Sequence, residues 1–246
     1  AWCWGGNVWG ELGRGTADAA VYGAAPVVIP VPFVAISAGD VHTCALEAGG
    51  RAWCWGSNLR GELGRGPADA VGHGVPDTVA GGLRFQAISA GLYYTCGLTV
   101  SRLASCWGTN ELAQLGLGAP DTMAHATPTN VVGGGQYSAI VSGYAHSCAL
   151  GPQGSAVCWG KNEFGELGRP PGARDCHWYS FSYSCSGTPL AVGGGLAFAA
   201  IRPAKHTTCA MAMNGVGYCW GINGSGELGD QSFTDRSSPV AVAGQP

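Results

Sequence analysis

The sequence predicts an all-β fold, a propeller assembled from repeated blades, and three observations carry that expectation. The string Cys-Trp-Gly-x-Asn occurs five times, beginning at Cys3, Cys54, Cys106, Cys158 and Cys219, at intervals of 51, 52, 52 and 61 residues. A second motif, Ile36 to Cys44, precedes four of those copies and returns as Ile88 to Cys96, Ile140 to Cys148 and Ile201 to Cys209. Around both motifs side chains alternate with period two, and no segment sustains a helical period with caps, so strands are expected and helices are not. Units of about fifty residues with three or four short strands match propeller blades; the coils of a β-solenoid are usually shorter.

Each unit contains a recognisable hairpin. His42, Cys44 and Leu46 alternate with Thr43 and Ala45, and Ala52 and Cys54 alternate with Trp53 and Trp55. Between them lies Gly49-Gly50, replaced by Pro152-Gln153-Gly154 and Asn214-Gly215 in later units, all turn formers. The second unit, with Ser101 at the midpoint, has a weaker turn signal. A third strand is expected upstream of each hairpin, at residues 26–29, 77–80, 129–132, 189–192 and 239–242. Each Cys-Trp-Gly string runs into a Gly-Glu-Leu-Gly-like turn, at Gly10–Gly13, Gly61–Gly64, Ala113–Gly116, Gly165–Gly168 and Gly226–Gly229.

The expected organisation is a single propeller domain over 1–246, with units at about 1–25, 26–76, 77–128, 129–188 and 189–238, and a further one starting at 239–246. At 52 residues per unit the 246 residues make about 4.7 units, the expected share of a larger ring.

Composition narrows the function. Gly (43) and Pro (14) approach the content of disordered chains, but nine Trp, eight Tyr and six Phe supply enough apolar surface to fold. Only 11% of residues are charged, the net charge is −3, and the lysines are Lys161 and Lys205. That excludes a broad electrostatic footprint for nucleic acid or anionic membrane. No apolar stretch approaches the ~18 residues of a membrane-spanning helix, so membrane insertion is not expected. There is no nucleophile elbow, His-Glu-x-x-His, phosphate loop or haem-attachment motif, so the reading is non-catalytic, with no cofactor and no metal.

The eleven cysteines order themselves by spacing. Cys44 and Cys54, Cys96 and Cys106, Cys148 and Cys158, and Cys209 and Cys219 each stand ten residues apart. Folding a hairpin about its midpoint opposes the two at a Cα distance of ~4.5–5.5 Å, within reach of a disulfide. Zinc would favour Cys-x₂₋₄-Cys knuckles, which are absent. Cys176 and Cys185 are expected to form a fifth bridge, leaving Cys3 without a partner in the chain; its partner is expected about ten residues before Ala1. Disulfides at this density point to an oxidising compartment: secreted, periplasmic or cell-surface.

Residues repeated in every unit read as structural. Glu11, Glu62, Glu166 and Glu227, with Gln114 in the third unit, share one turn position, and a catalytic carboxylate would not tolerate Gln there. Asn7, Asn58, Asn110, Asn162 and Asn223 suit side-chain-to-backbone bonds in a turn. Trp4, Trp55, Trp107, Trp159 and Trp220 read as packing between blades. His42 and His146, with Tyr94 and Thr207 elsewhere, occupy a hydrogen-bonding packing position. Asn223-Gly-Ser225 is formally a glycosylation acceptor, discounted because its Asn belongs to the repeat.

What breaks the repeat is informative. The nine surplus residues of the long interval fall within an insertion over 170–187. Between Cys176 and Cys185 lie His177, Trp178, Tyr179, Phe181 and Tyr183, interleaved with serines, a composition like that of antibody contact loops. Two readings stay open: a loop contacting a protein or glycan partner, or one folded back over a neighbouring blade or edge, or packed in an assembly.

The run Ile-Ser-Ala-Gly-x-x-His-Thr-Cys-Ala-Leu (36–46), followed by Cys-Trp-Gly-Ser-Asn-Leu-Arg-Gly-Glu-Leu-Gly (54–64), resembles the regulator of chromosome condensation repeat, and the likeness covers essentially the whole chain. It implies a β-propeller, usually of seven blades with four antiparallel strands each. The family spans an exchange factor for the GTPase Ran, a plant ultraviolet-B photoreceptor, parts of ubiquitin ligases and a secreted bacterial β-lactamase inhibitor. The photoreceptor's Gly-Trp-Arg-His-Thr motif is absent: the matching stretches, such as Gly39 to Thr43, lack its Trp and Arg. Disulfides and scarce lysine fit a nuclear role poorly, so the secreted bacterial branch is expected, helped slightly by the excess of Arg over Lys. The expected function is an extracellular, disulfide-stapled protein-binding or assembly module. Its rivals are a structural subunit of a surface layer or filament, which would self-assemble, and an inhibitor of a secreted hydrolase.

Overall fold

A computed structural model describes residues 1–29 and 31–245. The fold is all-β: among the described residues the only helical pieces are single 3-10 turns at 80–82, 152–154 and 193–195. The chain divides into two compact units, one made of Ala1–Thr109 and Thr122–Asn130, the other of Asn110–Asp121 and the chain from Val131 onward.

In the N-terminal unit β1 (Trp2–Asn7) pairs with β2 (Asp18–Pro26) in a two-stranded sheet. Two four-stranded antiparallel meanders follow. The first is β3 (Phe33–Ala38), β4 (His42–Glu47), β5 (Ala52–Gly56) and β6 (His73–Thr78). The second is β7 (Phe85–Ala90), β8 (Tyr94–Thr99), β9 (Ala104–Gly108) and β10 (His125–Asn130). The C-terminal unit holds two more. One is built from β11 (Ala139–Ser142), β12 (His146–Leu150) and β13 (Ala156–Lys161), and a separate hairpin, β14 (Cys176–Trp178) with β15 (Phe181–Tyr183), interrupts it before β16 (Cys185–Ala191) closes it. The last is β17 (Phe198–Pro203), β18 (Thr207–Ala212), β19 (Gly217–Gly221) and β20 (Arg236–Ala241).

The central hairpin of each blade sets its register. Cys44 faces Cys54, Cys96 faces Cys106, Cys148 faces Cys158 and Cys209 faces Cys219, and each pair is a disulfide with a Cα separation of 4.1 Å. A fifth bridge joins Cys176 to Cys185 across 6.0 Å. Cys3 forms none; burial pushes its thiol pKa up.

The strand windows expected upstream of the hairpins need correction. Residues 26–29, 77–80, 129–132, 189–192 and 239–242 start on, or lie within, the ends of β2, β6, β10, β16 and β20, which pair back to β1, β5, β9, β13 and β19. They finish the preceding sheet. The strand before each hairpin is the Ile-Ser-Ala segment itself, as in β3 and β7. Alternation shows that a segment is extended, but not which neighbour it joins.

The Trp of each Cys-Trp-Gly string is fully buried in four copies, Trp55, Trp107, Trp159 and Trp220. Trp4, on β1, is 67% exposed instead. The second Gly of each Gly-Glu-Leu-Gly turn supports these indoles. At Gly64, with φ +65°, a Cβ would stand 2.6 Å from the Trp107 ring nitrogen, so neither the conformation nor the space admits a side chain.

Candidate functional site

One polar unit recurs at every blade contact within each compact unit. The Glu62 backbone carbonyl accepts from Trp107 Nε1 (2.9 Å) and from the Thr95 hydroxyl (2.9 Å), both on the next blade. Glu11 serves Trp55 and Thr43 in the same way, Gln114 serves Trp159 and Ser147, and Glu166 serves Trp220 and Thr208. The side chain turns the other way, to a backbone N–H two residues upstream: Trp9 for Glu11, Arg60 for Glu62, Phe164 for Glu166 and Ser225 for Glu227. Gln114 accepts from the Leu112 N–H with its amide oxygen, so Gln satisfies the position as well as Glu. The same turn N–H finds its acceptor in each copy, which explains the repetition.

The repeated asparagines close the loops between third and fourth strands. Asn7, Asn110, Asn162 and Asn223 each accept from the N–H five residues on, while their amides, and that of Asn58, donate to carbonyls further along the loop. Asn223 is fully buried, and its amide donates to Asp230, Ser232 and Thr234, leaving no room for a glycan. His42 and His146 are buried between blades, each with Nε2 donating to the Thr95 or Thr208 hydroxyl (2.7 and 2.8 Å), since those hydroxyl protons are engaged by the Glu carbonyls. Burial lowers their pKa values to about 3 and about 4, which keeps both neutral. Among the described residues no group of three or more side chains is placed to hold a metal ion.

One blade departs from the pattern, and there chemistry accumulates. The variable residue of Cys-Trp-Gly-x-Asn is Gly6, Ser57, Thr109, Lys161 or Ile222. Ser57 donates to Glu62 Oε1 at 2.6 Å; burial is the larger influence there and pushes the Glu62 carboxyl above its ordinary range. In the C-terminal unit Lys161 takes that place, with Nζ 3.2 Å from Glu166 Oε1 and both side chains buried. Burial alone would raise Glu166 too, but the neighbouring His206 ring and the Lys161 charge outweigh it and hold the carboxyl at about 2. His206, from the β17–β18 turn, puts Nδ1 3.4 Å from Lys161 Nζ and 3.9 Å from Glu166 Oε1.

Aromatic rings roof this ion pair. Lys161 Nζ lies 4.8 Å from the Phe164 ring centre and 5.2 Å from that of Tyr183. Tyr144 stands 6.0 Å from Trp178 and 6.3 Å from His206, and Lys205 Nζ sits 5.5 Å above it. Both lysines of the chain therefore meet here. Lys161 could have drawn attention in the sequence as a cation at the variable repeat position. His206, Tyr144, Phe164 and Lys205 carried no such signal, because they converge from different turns.

The inserted hairpin packs on this cluster and divides its five rings. Cys176 is buried with Leu112, Ala113 and Ala145, and Trp178 and Tyr183 lie half-buried against them. Ala113 replaces the Gly of the other turns and keeps the positive φ (+58°), its methyl joining this cluster. Arg174 pairs with Glu163, and Glu163 also accepts from the Ser184 N–H, tying the start and end of the insert to the blade. His177 is exposed and bonds Ser182. At the tip, Tyr179 is 83% exposed, stacked on Trp178 at 6.0 Å, and Phe181 is 67% exposed. Tyr179 adopts φ +54°, a left-handed conformation that costs a side-chain-bearing residue roughly 1–2 kcal/mol. The loop thus folds back with two rings and presents the rest to solvent.

Comparison with known proteins matches two family models, both described as the regulator of chromosome condensation (RCC1) repeat, over residues 33–62 and 137–166 and over 1–46 and 49–98. The human probable E3 ubiquitin-protein ligase HERC6 is 28% identical over 97% of this chain and 23% of its own length. The Arabidopsis thaliana ultraviolet-B receptor UVR8 is 28% identical over 87% of this chain and 47% of its own. Yeast RCC1 (Prp20), solved bound to Kap60, superposes with a TM-score of 0.82 at 20% identity, covering 99% of this chain and 57% of that one. The chain spans about a quarter of the ligase and half of the photoreceptor. The structural likeness places the fold among RCC1-type β-propellers.

Proposed function

Because the chain belongs to the regulator of chromosome condensation (RCC1) repeat family, we propose that it is a non-catalytic protein-binding module of an oxidising, extracellular or periplasmic setting, with the disulfide-closed hairpin of residues 176–185 as its contact surface. The observation that carries the reading is the division of labour in the insert. Trp178 and Tyr183 anchor it while Tyr179, Phe181 and His177 stand in solvent. A loop held by a disulfide, an ion pair and buried rings has little entropy to lose on binding.

Three further observations support it. Every repeated carboxylate and amide has a structural role, so the polar residues that might suggest catalysis are consumed in blade packing. Five disulfides among eleven cysteines favour a compartment where they persist. Yeast RCC1 (Prp20), whose fold this chain shares, has been solved bound to another protein, Kap60.

Replacing Trp178 and Tyr179 together by alanine tests the reading. The immobilised wild-type chain should retain from the native extract a partner that the double variant does not, with the circular dichroism of both unchanged. Equal retention by a folded double variant would refute the contact-loop assignment.

A further inference from the structure

Resting on the contact-loop reading, we infer that Lys161 is the positioning residue of the inserted hairpin: its buried ammonium fixes where residues 176–185 sit on the blade. The turn that carries it does not need a cation. The residue at this repeat position is Gly6, Ser57, Thr109 or Ile222 in the other copies. After β5 the Ser57 hydroxyl satisfies the buried Glu62 at 2.6 Å. A lysine in the same place has to be desolvated, and its side chain is 5% exposed beside a fully buried Glu166. A buried ion pair adds little net stability over neutral residues of similar size; its best-attested use is to select one packing register among several.

What sets this copy apart is the insertion that follows it. Lys161 Nζ reaches Glu166 Oε1 at 3.2 Å and His206 Nδ1 at 3.4 Å, and the ring centres of Phe164 and Tyr183 lie 4.8 and 5.2 Å from it. Phe164 belongs to the lysine's own turn and His206 to the β17–β18 turn, so Tyr183 is what the insert supplies. A ring close to a desolvated ammonium is attracted to that point, whereas apolar burial alone is non-directional. Lys161 also stands opposite Cys185 in the β13–β16 ladder, where the insert rejoins the blade.

The hairpin has few other means of fixing its seat. β14 and β15 have three residues each, and a two-stranded hairpin of that size is marginal in water. The Cys176–Cys185 bridge closes the insert on itself. The Arg174–Glu163 pair ties its start at the surface, where an ion pair contributes little. With Tyr183 over Lys161, Trp178 rests against Tyr144 at 6.0 Å, and the turn at Tyr179 and Ser180 projects beyond them.

Two variants and their combination test the assignment. Lys161→Ser installs the arrangement found after β5, and Tyr183→Leu keeps an apolar side chain while removing the ring. Hydrogen–deuterium exchange is read across the free chain, together with retention of the protein that the immobilised wild-type chain holds from the native extract. Lys161→Ser should speed exchange across 176–183 by about 10-fold, with the Cys148–Cys158 hairpin changed far less. Tyr183→Leu should act alike, and the double variant should exchange no faster than the quicker single one, since both remove one contact. Retention should fall in all three. Wild-type protection of the insert in Lys161→Ser, or additive effects in the double variant, would overturn the positioning role. Protection lost equally from the Cys148–Cys158 hairpin would make Lys161 a stabiliser of the whole blade and also overturn it. Loss confined to the insert with undiminished retention would instead remove the contact-loop reading and leave Lys161 as the seat of the hairpin.

Discussion

Replacing Lys161 by serine transplants into the β13 turn the residue that stands at the same repeat position after β5. There Ser57 faces Glu62, and burial pushes that carboxyl up. In the wild-type chain Glu166 is held at about 2 against an ordinary 4.5. At roughly 1.4 kcal/mol per pKa unit, that depression corresponds to about 3 kcal/mol of stability at pH 7. A depressed carboxyl contributes fully above its unfolded value, near 4.5, and loses its contribution as pH falls toward 2. The Lys161→Ser change removes only the Lys161 share of this, leaves His206 beside the carboxyl and adds a serine hydrogen bond worth about 1 kcal/mol, so a net loss of about 1 kcal/mol is expected at pH 7. The deficit should shrink below pH 4.5 and vanish or reverse near pH 2.5, where the wild-type chain keeps a buried ammonium whose carboxylate partner is being neutralised. Urea unfolding of both proteins from pH 7 to 2.5, followed by tryptophan fluorescence with disulfides intact, reads the difference; His42 titrates in both and cancels, and His146, which feels both Lys161 and Glu166, is followed separately through its ring resonances. Carboxyl-carbon resonances of Glu166 should show a midpoint near 2 in the wild-type chain and a higher one in the variant. A deficit constant across this range, or a wild-type Glu166 midpoint near 4.5, would refute the electrostatic reasoning and leave lost packing as its cause.

Other perturbations test the repeat machinery. Trp107→Phe removes the indole bond to the Glu62 carbonyl (2.9 Å) while Thr95 still serves it, so denaturation should show a loss of about 1–2 kcal/mol. His146 is neutral in the fold, with its pKa lowered to about 4 from 6.5 by burial; its contribution is full above pH 6.5 and falls by about 3 kcal/mol as pH drops to 4. His146→Gln should flatten that part of the stability–pH profile, and an unchanged slope would contradict the assignment. Replacing Cys148 and Cys158 together by alanine opens a ten-residue loop and should cost about 2–4 kcal/mol in urea unfolding, with no change in the far-ultraviolet spectrum.

The reach of the sequence differed between backbone and site for physical reasons. A ten-residue spacing around a turn former is a local constraint, so the hairpins at Cys44–Cys54 and its repeats, and the strand alternation, were legible. Which neighbour an outer strand joins is a tertiary fact, so residues such as 77–80 were placed one blade late. The insertion stood out because it broke the period. Its division into seated rings, Trp178 and Tyr183, and solvent rings, Tyr179 and Phe181, depends on a cluster assembled from four separate turns. His206 reaches Glu166 only because the next blade's first turn lies against the Lys161 loop, a proximity no spacing encodes.

Partners are proposed to meet this chain at the 176–185 hairpin. Hydrogen–deuterium exchange of the free chain against its complex with the captured partner tests that most directly. New protection is predicted across residues 174–185, strongest around Tyr179 and Phe181, with the blade hairpins such as 44–54 and 96–106 unchanged. Protection confined to other loops, with 174–185 exchanging as in the free chain, would contradict it.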